Sequence, residues 1–240
     1  MFNLVFPEDC RVCGVRLKNI SRIPVCAACL NEPKPFLAEH FCVDCRTPFL
    51  NASPLDENGR CGLCRAGLSG YDAVYAYGEY EGNLRKLIHV FKYGGVTPLA
   101  SELGRLLNGA LPRDEQFDVI VPMPLHWRKR LQRGFNQSEL LAKFIAKRTG
   151  IPLVGALRRR KRTDPQAGLT RAQRRTNVVG AFEVSRRERV EGRHVLLIDD
   201  VLTTGATASA CAVVLKRAGA RRVSVLTLAR ADRRKSLARV

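Results

Sequence analysis

No stretch of eighteen consecutive apolar residues occurs in the 240-residue chain, so no segment is suited to span a bilayer as a helix. A secretory leader is missing too. Met1 to Phe6 is too short an apolar stretch before Glu8 and Asp9, which leaves an oxidising compartment unsupported. Internal repeats are absent apart from paired cysteines. Acidic residues are scarce, with 22 Asp+Glu against 41 Lys+Arg and a formal net charge of +19. The deficit is uneven. Residues 1–70 hold eight Lys/Arg against seven Asp/Glu, whereas 71–240 hold thirty-three against fifteen, so the later part carries +18 of the +19. Such asymmetry points to a polyanionic partner for that part.

Cysteine is the residue present in excess. Eight of the nine form Cys-x-x-Cys pairs at Cys10/Cys13, Cys26/Cys29, Cys42/Cys45 and Cys61/Cys64, with 12, 12 and 15 residues between pairs. This is the spacing of structural zinc knuckles: each turn presents two thiolates at one vertex, and two turns complete a tetrahedron. Four pairs imply two four-cysteine sites and two structural Zn2+. Sequential pairing is the simplest partition; interleaved pairing remains open. A thioredoxin-like centre would need one pair between a strand and a helix, not four in loop-rich sequence. His40, near Cys42, is a bystander when eight thiolates are available, and Cys211 reads as a small buried hydrophobe. Residues 1–68, rich in proline and turn residues, are expected to form a zinc module whose core is too small to fold without metal.

From Tyr71 the pattern changes to alternating strands and helices, which predicts an α/β fold with a mostly parallel, doubly wound sheet over 69–240. Tyr71 to Tyr80 reads as a strand. Asn83 to Tyr93 reads as a helix with Leu84, Leu87, Ile88 and Phe91 on one face, and Thr97-Pro98 opens a further helix to about Leu107. Phe117 to Val121 is a buried strand, and Pro122, Met123 and Pro124 then fix a rigid turn that His126 orients. Ser138 is expected to cap a helix to Arg148 with Leu140, Leu141, Phe144 and Ile145 as its stripe. Phe182 to Val184 reads as a short strand and Val223 to Leu228 as the last core strand. Arg158 to Arg175 reads as an exposed, mobile, anion-seeking loop, and the tail from Arg230 as frayed.

The most informative stretch runs from Val195 to Thr207. An apolar run ending at Ile198 reads as a central strand, with Asp199 and Asp200 at its carboxyl end, where open α/β sheets place ligands. Thr203, Thr204, Gly205, Ala206 and Thr207 then enter an alanine-rich helix ending near Gly219. The N–H groups of that helix start, the threonine hydroxyls and a glycine permitting close approach suit a 5′-phosphate. Two carboxylates suit the hydroxyls of a ribose, directly or through Mg2+. The segment resembles the 5-phosphoribosyl-1-pyrophosphate (PRPP) motif of type I phosphoribosyltransferases.

Three blocks carry a wider resemblance: Val121 to His126 with Arg130 and Arg133 to Gln137; Gln166 to Arg175 with Asn177; and the Val195 to Thr207 cradle. Behind a double zinc ribbon, this set resembles the competence protein F (ComF) family. The resemblance implies a cytoplasmic bacterial protein with a phosphoribosyltransferase-like domain, linked to DNA uptake in natural transformation. It assigns Asp199 and Asp200 to the ribose, Thr203 to Thr207 to the 5′-phosphate, and Pro122, Met123 and Pro124 to the pyrophosphate loop. Mg2+ accompanies PRPP, with Arg130 or Arg133 neutralising the leaving group.

Two functions follow as expectations. In one, the chain binds PRPP or another ribose 5-phosphate and handles single-stranded DNA, with Trp127, Arg128, Lys129, Arg171, Arg174 and Arg175 meeting the nucleic acid and Phe135 nearby for stacking. In the other, it is an active phosphoribosyltransferase acting on an unidentified acceptor, although no segment reads as an acceptor pocket. The zinc module is expected to meet protein partners.

Overall fold

The computed structural model describes residues 9–19, 21–160 and 180–231. Arg171, Arg174 and Arg175, with the rest of 161–179, lie outside the described residues, as do 1–8 and 232–240.

The N-terminal module consists of two small ribbons. The first contains helix α1 (Ala27–Asn31), and the second contains the antiparallel pair β1 (His40–Phe41) and β2 (Pro48–Phe49) and helix α2 (Gly62–Arg65). After them come β3 (Ala73–Glu79), α3 (Gly82–Tyr93), α4 (Leu99–Gly109), β4 (Val119–Pro122), α5 (Trp127–Arg133) and α6 (Gln137–Thr149). The chain closes with the antiparallel pair β5 (Leu157–Arg159) and β6 (Phe182–Val184), then β7 (His194–Leu202), α7 (Ala206–Arg217) and β8 (Arg222–Arg230).

The main sheet has the order β3-β8-β7-β4, all parallel. Both faces are covered, and the alternation of side chains along each strand divides the core in two. Val119, Val121, Val195, Leu197, Val223 and Val225 pack toward α7 and the β5–β6 pair. Ile120, Leu196, Ile198, Leu226 and Leu228 pack with the apolar faces of α3, α4 and α6. From β4 the chain passes through α6 to a bridge at Leu153 beside Ile120, whereas from β7 it passes through α7 to β8 on the other side. The loops after β4 and β7 therefore diverge, which creates a crevice at the carboxyl ends of the strands.

Several local expectations need correction. Helix α6 is capped by Asn136, whose Oδ1 accepts from the Ser138 N–H at 3.1 Å, so Ser138 lies inside the helix and its hydroxyl is free for a tertiary partner. The basic run after His126 is helical because the His126 side chain caps α5 and Gly134, in the left-handed region, ends it. Strand β7 continues past both aspartates to Leu202. Arg230 is not frayed: it closes β8 and lies over the Phe49 ring at 4.2 Å.

Candidate functional site

The eight paired cysteines gather sequentially. Cys10, Cys13, Cys26 and Cys29 form one cluster and Cys42, Cys45, Cys61 and Cys64 the other, each with its sulfurs within 4.8 Å of one another. The two are built alike, since the N–H of Cys26 donates to Cys10 Sγ and that of Cys61 to Cys42 Sγ, both at 3.3 Å. Four thiols so close cannot all ionise unaided. The Cys45 thiol donates to Cys61 and helps pull it down to about 5, while the same contact and burial drive Cys45 up. A divalent cation removes this conflict, and the all-sulfur donor sets fit two structural zinc ions. His40 belongs to neither cluster.

Two cavities adjoin in the crevice. One, of about 210 Å3, lies along the start of α7 and is lined by Tyr80, Thr203, Gly205, Ala206 and Thr207 among others. The other, of about 190 Å3, lies against the loop after β4 and is lined by Met123, Pro124, Lys129, Arg133, Gln137, Arg159 and Asp200 among others. Lys92, Asp199 and Thr207 line both. The first turn of α7 has no acidic residue; the Thr204 hydroxyl accepts from the Ala206 N–H at 3.4 Å, and the positive end of the helix lies along the first cavity.

The two aspartates have different surroundings. Asp199 Oδ1 accepts from the Ser138 hydroxyl at 3.2 Å and from the Asp200 N–H at 2.9 Å. Burial and the neighbouring Asp200 push Asp199 up to about 7, against the pull of Lys92. Asp200, only 8% exposed, forms an ion pair with Lys92 from α3 at 2.9 Å. Burial opposes the Lys92 charge, but Asp200 and Asp199 outweigh it and raise its pKa. In the second cavity burial lowers Lys129, with Arg159, Arg133 and Lys92 adding to the effect. Gln137 is 2% exposed; its Oε1 accepts from Arg133 at 3.2 Å, and its Nε2 has no partner among the described residues.

The loop after β4 is fixed to α6 through Asn136 Nδ2, which donates to the Met123 carbonyl at 3.0 Å. Pro122 ends β4 and lines neither cavity. Arg130 also lines neither and reaches Glu139 at 3.5 Å, whereas Arg133 lines the second cavity. Lys129, expected on nucleic acid, faces the second cavity. Trp127 is 56% exposed with Arg128 over its ring at 5.1 Å, whereas Phe135 is half-buried and packs on Phe91. Lys92 leaves no sign in the sequence, and Ser138 reads there only as a cap; Arg159, expected in an exposed anion-seeking loop, instead ends β5 and lines the second cavity. The Arg133–Gln137 block signalled Gln137 without giving it a role.

Gly205 has a second purpose beyond close approach to a ligand. Its φ is +78°, and a Cβ there would lie 2.5 Å from Tyr71 Oη and 2.7 Å from Leu63 Cδ1. Leu63 sits between Cys61 and Cys64, so the second ribbon presses directly on the hinge of the cradle. The connection is secured by Ser209 of α7, whose Oγ donates to the Leu68 carbonyl and accepts from the Gly70 N–H.

A magnesium ion, expected with a pyrophosphate ligand, meets few free protein donors here. Lys92 holds one oxygen of Asp200, the Ser138 hydroxyl and the Asp200 N–H hold one of Asp199, and the second cavity is lined by cations. It is this excess of positive charge that makes the residues present a poor fit to a protein-held Mg2+.

Comparison with known proteins agrees with the architecture. A family profile for the phosphoribosyl transferase domain matches residues 136–239, and one for the double zinc ribbon domain matches 1–65. The chain is 31% identical over 229 residues to "Competence protein F" of Haemophilus influenzae, covering 92% of this chain and 90% of that one. It is 29% identical to the "DNA utilization protein YhgH" of Escherichia coli K12 (95% and 99% covered) and 27% identical to "Competence protein ComFC" of Bacillus subtilis (95% and 87%). Among solved structures, adenine phosphoribosyltransferase from Thermoanaerobacter pseudethanolicus is similar at 23% identity and a TM-score of 0.38, covering 62% of this chain and 77% of that one. No described helix is long and apolar enough to cross a membrane.

Proposed function

The chain belongs to the competence protein F family, and from that premise we propose that the adjoining cavities bind PRPP or another ribose 5-phosphate in the service of single-stranded DNA handling. One observation carries the reading: a helix start and a cation-lined cavity meet at a common wall formed by Asp199, Lys92 and Thr207. A ligand with phosphate at one end, hydroxyls in the middle and anionic oxygens at the other matches that sequence of surfaces. The 5′-phosphate lies at the first turn of α7, and the ribose hydroxyls donate to Asp199. The far anion meets Lys129, Arg133, Arg159 and the Gln137 amide.

DNA takes a different path in this reading. A deoxyribose within a strand has no 2′-hydroxyl and an esterified 3′-oxygen, so it offers Asp199 nothing to accept. The exposed Trp127, with Arg128 beside it, provides an external face for a base and a phosphate. Protein partners have a candidate surface on the second ribbon, where Leu37, Phe41 and Val43 are exposed. These roles suit a cytoplasmic protein acting in DNA uptake.

Two titrations test the proposal: PRPP by calorimetry and a 5′-phosphorylated single-stranded oligonucleotide by fluorescence anisotropy. Trp127→Ala is expected to weaken DNA binding about tenfold and leave PRPP binding intact. Asp199→Ala is expected to do the reverse. A DNA affinity that requires the 5′-phosphate would instead put the strand end in the cradle. Pyrophosphate release from PRPP with any acceptor would favour the transferase reading.

A further inference from the structure

We propose that Lys92 takes the place of a divalent cation in this site, so that PRPP binds without magnesium. The inference rests on the ribose-phosphate reading of the joined cavities.

Lys92 leaves the last turn of α3 with about 15% of its side chain exposed, holds its Nζ 2.9 Å from Asp200 Oδ2, and lines both cavities. A fixed positive charge therefore already occupies the boundary between the sugar end and the far-anion end of the site. The second cavity adds Lys129, Arg133 and Arg159. Against these four cations stand two carboxylates, Asp199 and Asp200, so the lining stays net positive by two with both ionised. Protein-bound Mg2+ relies on one or two carboxylates, usually with phosphates and several waters. Here one oxygen of each carboxylate is already engaged, and the ion would join an excess of like charge.

The neutral groups point the same way. Gln137, which lines the second cavity, has its oxygen, the atom able to ligate a cation, occupied by Arg133, and its buried Nε2 has no partner among the described residues. The Ser138 hydroxyl donates to Asp199, and Asn136 Oδ1 accepts from Ser138 N–H. Lys129 has no carboxylate within ion-pair distance among the described residues. The second cavity therefore has an excess of positive charge and of donor groups over carboxylates in its lining. The Lys92 ammonium neutralises anionic oxygens as a metal would, and its pairing with Asp200 fixes it in place before the ligand arrives.

The test is calorimetric titration of PRPP into the full chain with both zincs retained, in buffer with millimolar Mg2+ and in resin-treated buffer free of magnesium and of chelators. The wild-type Kd is expected to agree within about threefold between the two buffers. Lys92→Gln is expected to bind at least about tenfold more weakly without magnesium and to recover part of that loss when it is added. Lys92→Arg should remain indifferent to magnesium. Lys92→Gln strands a buried carboxylate, so Lys92→Gln/Asp200→Asn is measured beside it, with circular dichroism on each. A wild-type affinity that collapses tenfold or more without Mg2+ overturns the inference and leaves the site reading standing. Wild-type behaviour of Lys92→Gln in magnesium-free buffer also overturns it. Absence of binding in both buffers overturns the ribose-phosphate reading itself.

Discussion

In the first ribbon the residue before the last cysteine is Ala28, which is exposed; in the second the same place is taken by Leu63, which meets Gly205. The knuckles themselves match, down to the N–H···S bonds at 3.3 Å. Their surroundings do not. In the first cluster Cys10 and Cys29 are buried in one core with Leu84, Leu87 and Phe91 of α3 and Cys13 is exposed, whereas Cys42, Cys45 and Cys61 are buried in the other core with Tyr71, Ala206 and Ala208. Arg230 of β8 adds a cation–π contact to Phe49 of the second ribbon. One metal-binding device thus serves twice: once to anchor a ribbon against α3, and once to support the Gly205 turn from behind.

The most severe way to break this contrast is to remove one ligand from each cluster. Cys45→Ser is expected to lose zinc from the second ribbon, lower the melting temperature sharply and abolish PRPP binding, because structural zinc contributes on the order of 10 kcal/mol to folding of such modules. Cys13→Ser should release the first zinc yet keep PRPP affinity within about threefold. Metal analysis with calorimetry decides; equal loss of binding would erase the distinction.

Next in size is Gly205→Ala. The new Cβ meets left-handed strain of about 1–3 kcal/mol and also the Tyr71 and Leu63 contacts. Gly150→Ala shares the strain, at φ +77°, but has nothing within 4 Å. In urea unfolding the first should cost more than the second by at least about 1 kcal/mol, and only the first should weaken PRPP binding.

Leu63→Ala sharpens the comparison by giving the second ribbon the residue of the first. Both zincs should remain, stability should fall by about 1–2 kcal/mol for a half-buried leucine, and PRPP affinity should drop modestly. A variant indistinguishable from wild type in binding would show that the contact is incidental.

The smallest effect tests the cradle without touching either ribbon. Asp199 is raised from 3.8 to about 7 by burial and by Asp200. For a carboxyl raised on folding, the stability it contributes is present below the unfolded value and lost as pH rises through the folded one. Asp199→Asn is therefore expected to raise the melting temperature of the ligand-free protein by a few degrees at about pH 8, with the gain shrinking toward about pH 5.5. Melting curves at the two pH values check this, and a loss at the higher pH would contradict it.

The legible parts of this chain were those written in local spacing. Cys-x-x-Cys pairs, the α3 stripe of Leu84, Leu87, Ile88 and Phe91, and the strand-to-helix run from Val195 to Thr207 are each legible from residues close together in the chain. Lys92 is not, because it gains its role only by meeting Asp200 from more than a hundred residues away. Ser138 was read as a cap because serine and asparagine both cap well. The fold settles the choice by giving the Ser138 hydroxyl to Asp199 and the cap to Asn136. Arg128 and Lys129 are adjacent in sequence but point apart on α5, one over Trp127 and one into the second cavity. Gly205 was visible as a glycine, but the Leu63 behind it was not.

The ribbon-to-sheet junction also governs how the molecule can be taken apart. Strand β3 is the last strand on its side of the sheet, and part of its outer edge is closed by the segment before β1: the Phe36 N–H donates to the Tyr77 carbonyl, and Tyr77 Oη donates to the Pro33 carbonyl at 2.9 Å. Severing the chain at residue 68 would bare that edge, strip Leu63 from Gly205, and leave a strand ready to recruit another copy of itself. The segments 1–65 and 136–239 match separate family profiles but are not separable in handling. A truncated α/β half would report on self-association before it reported on any ligand.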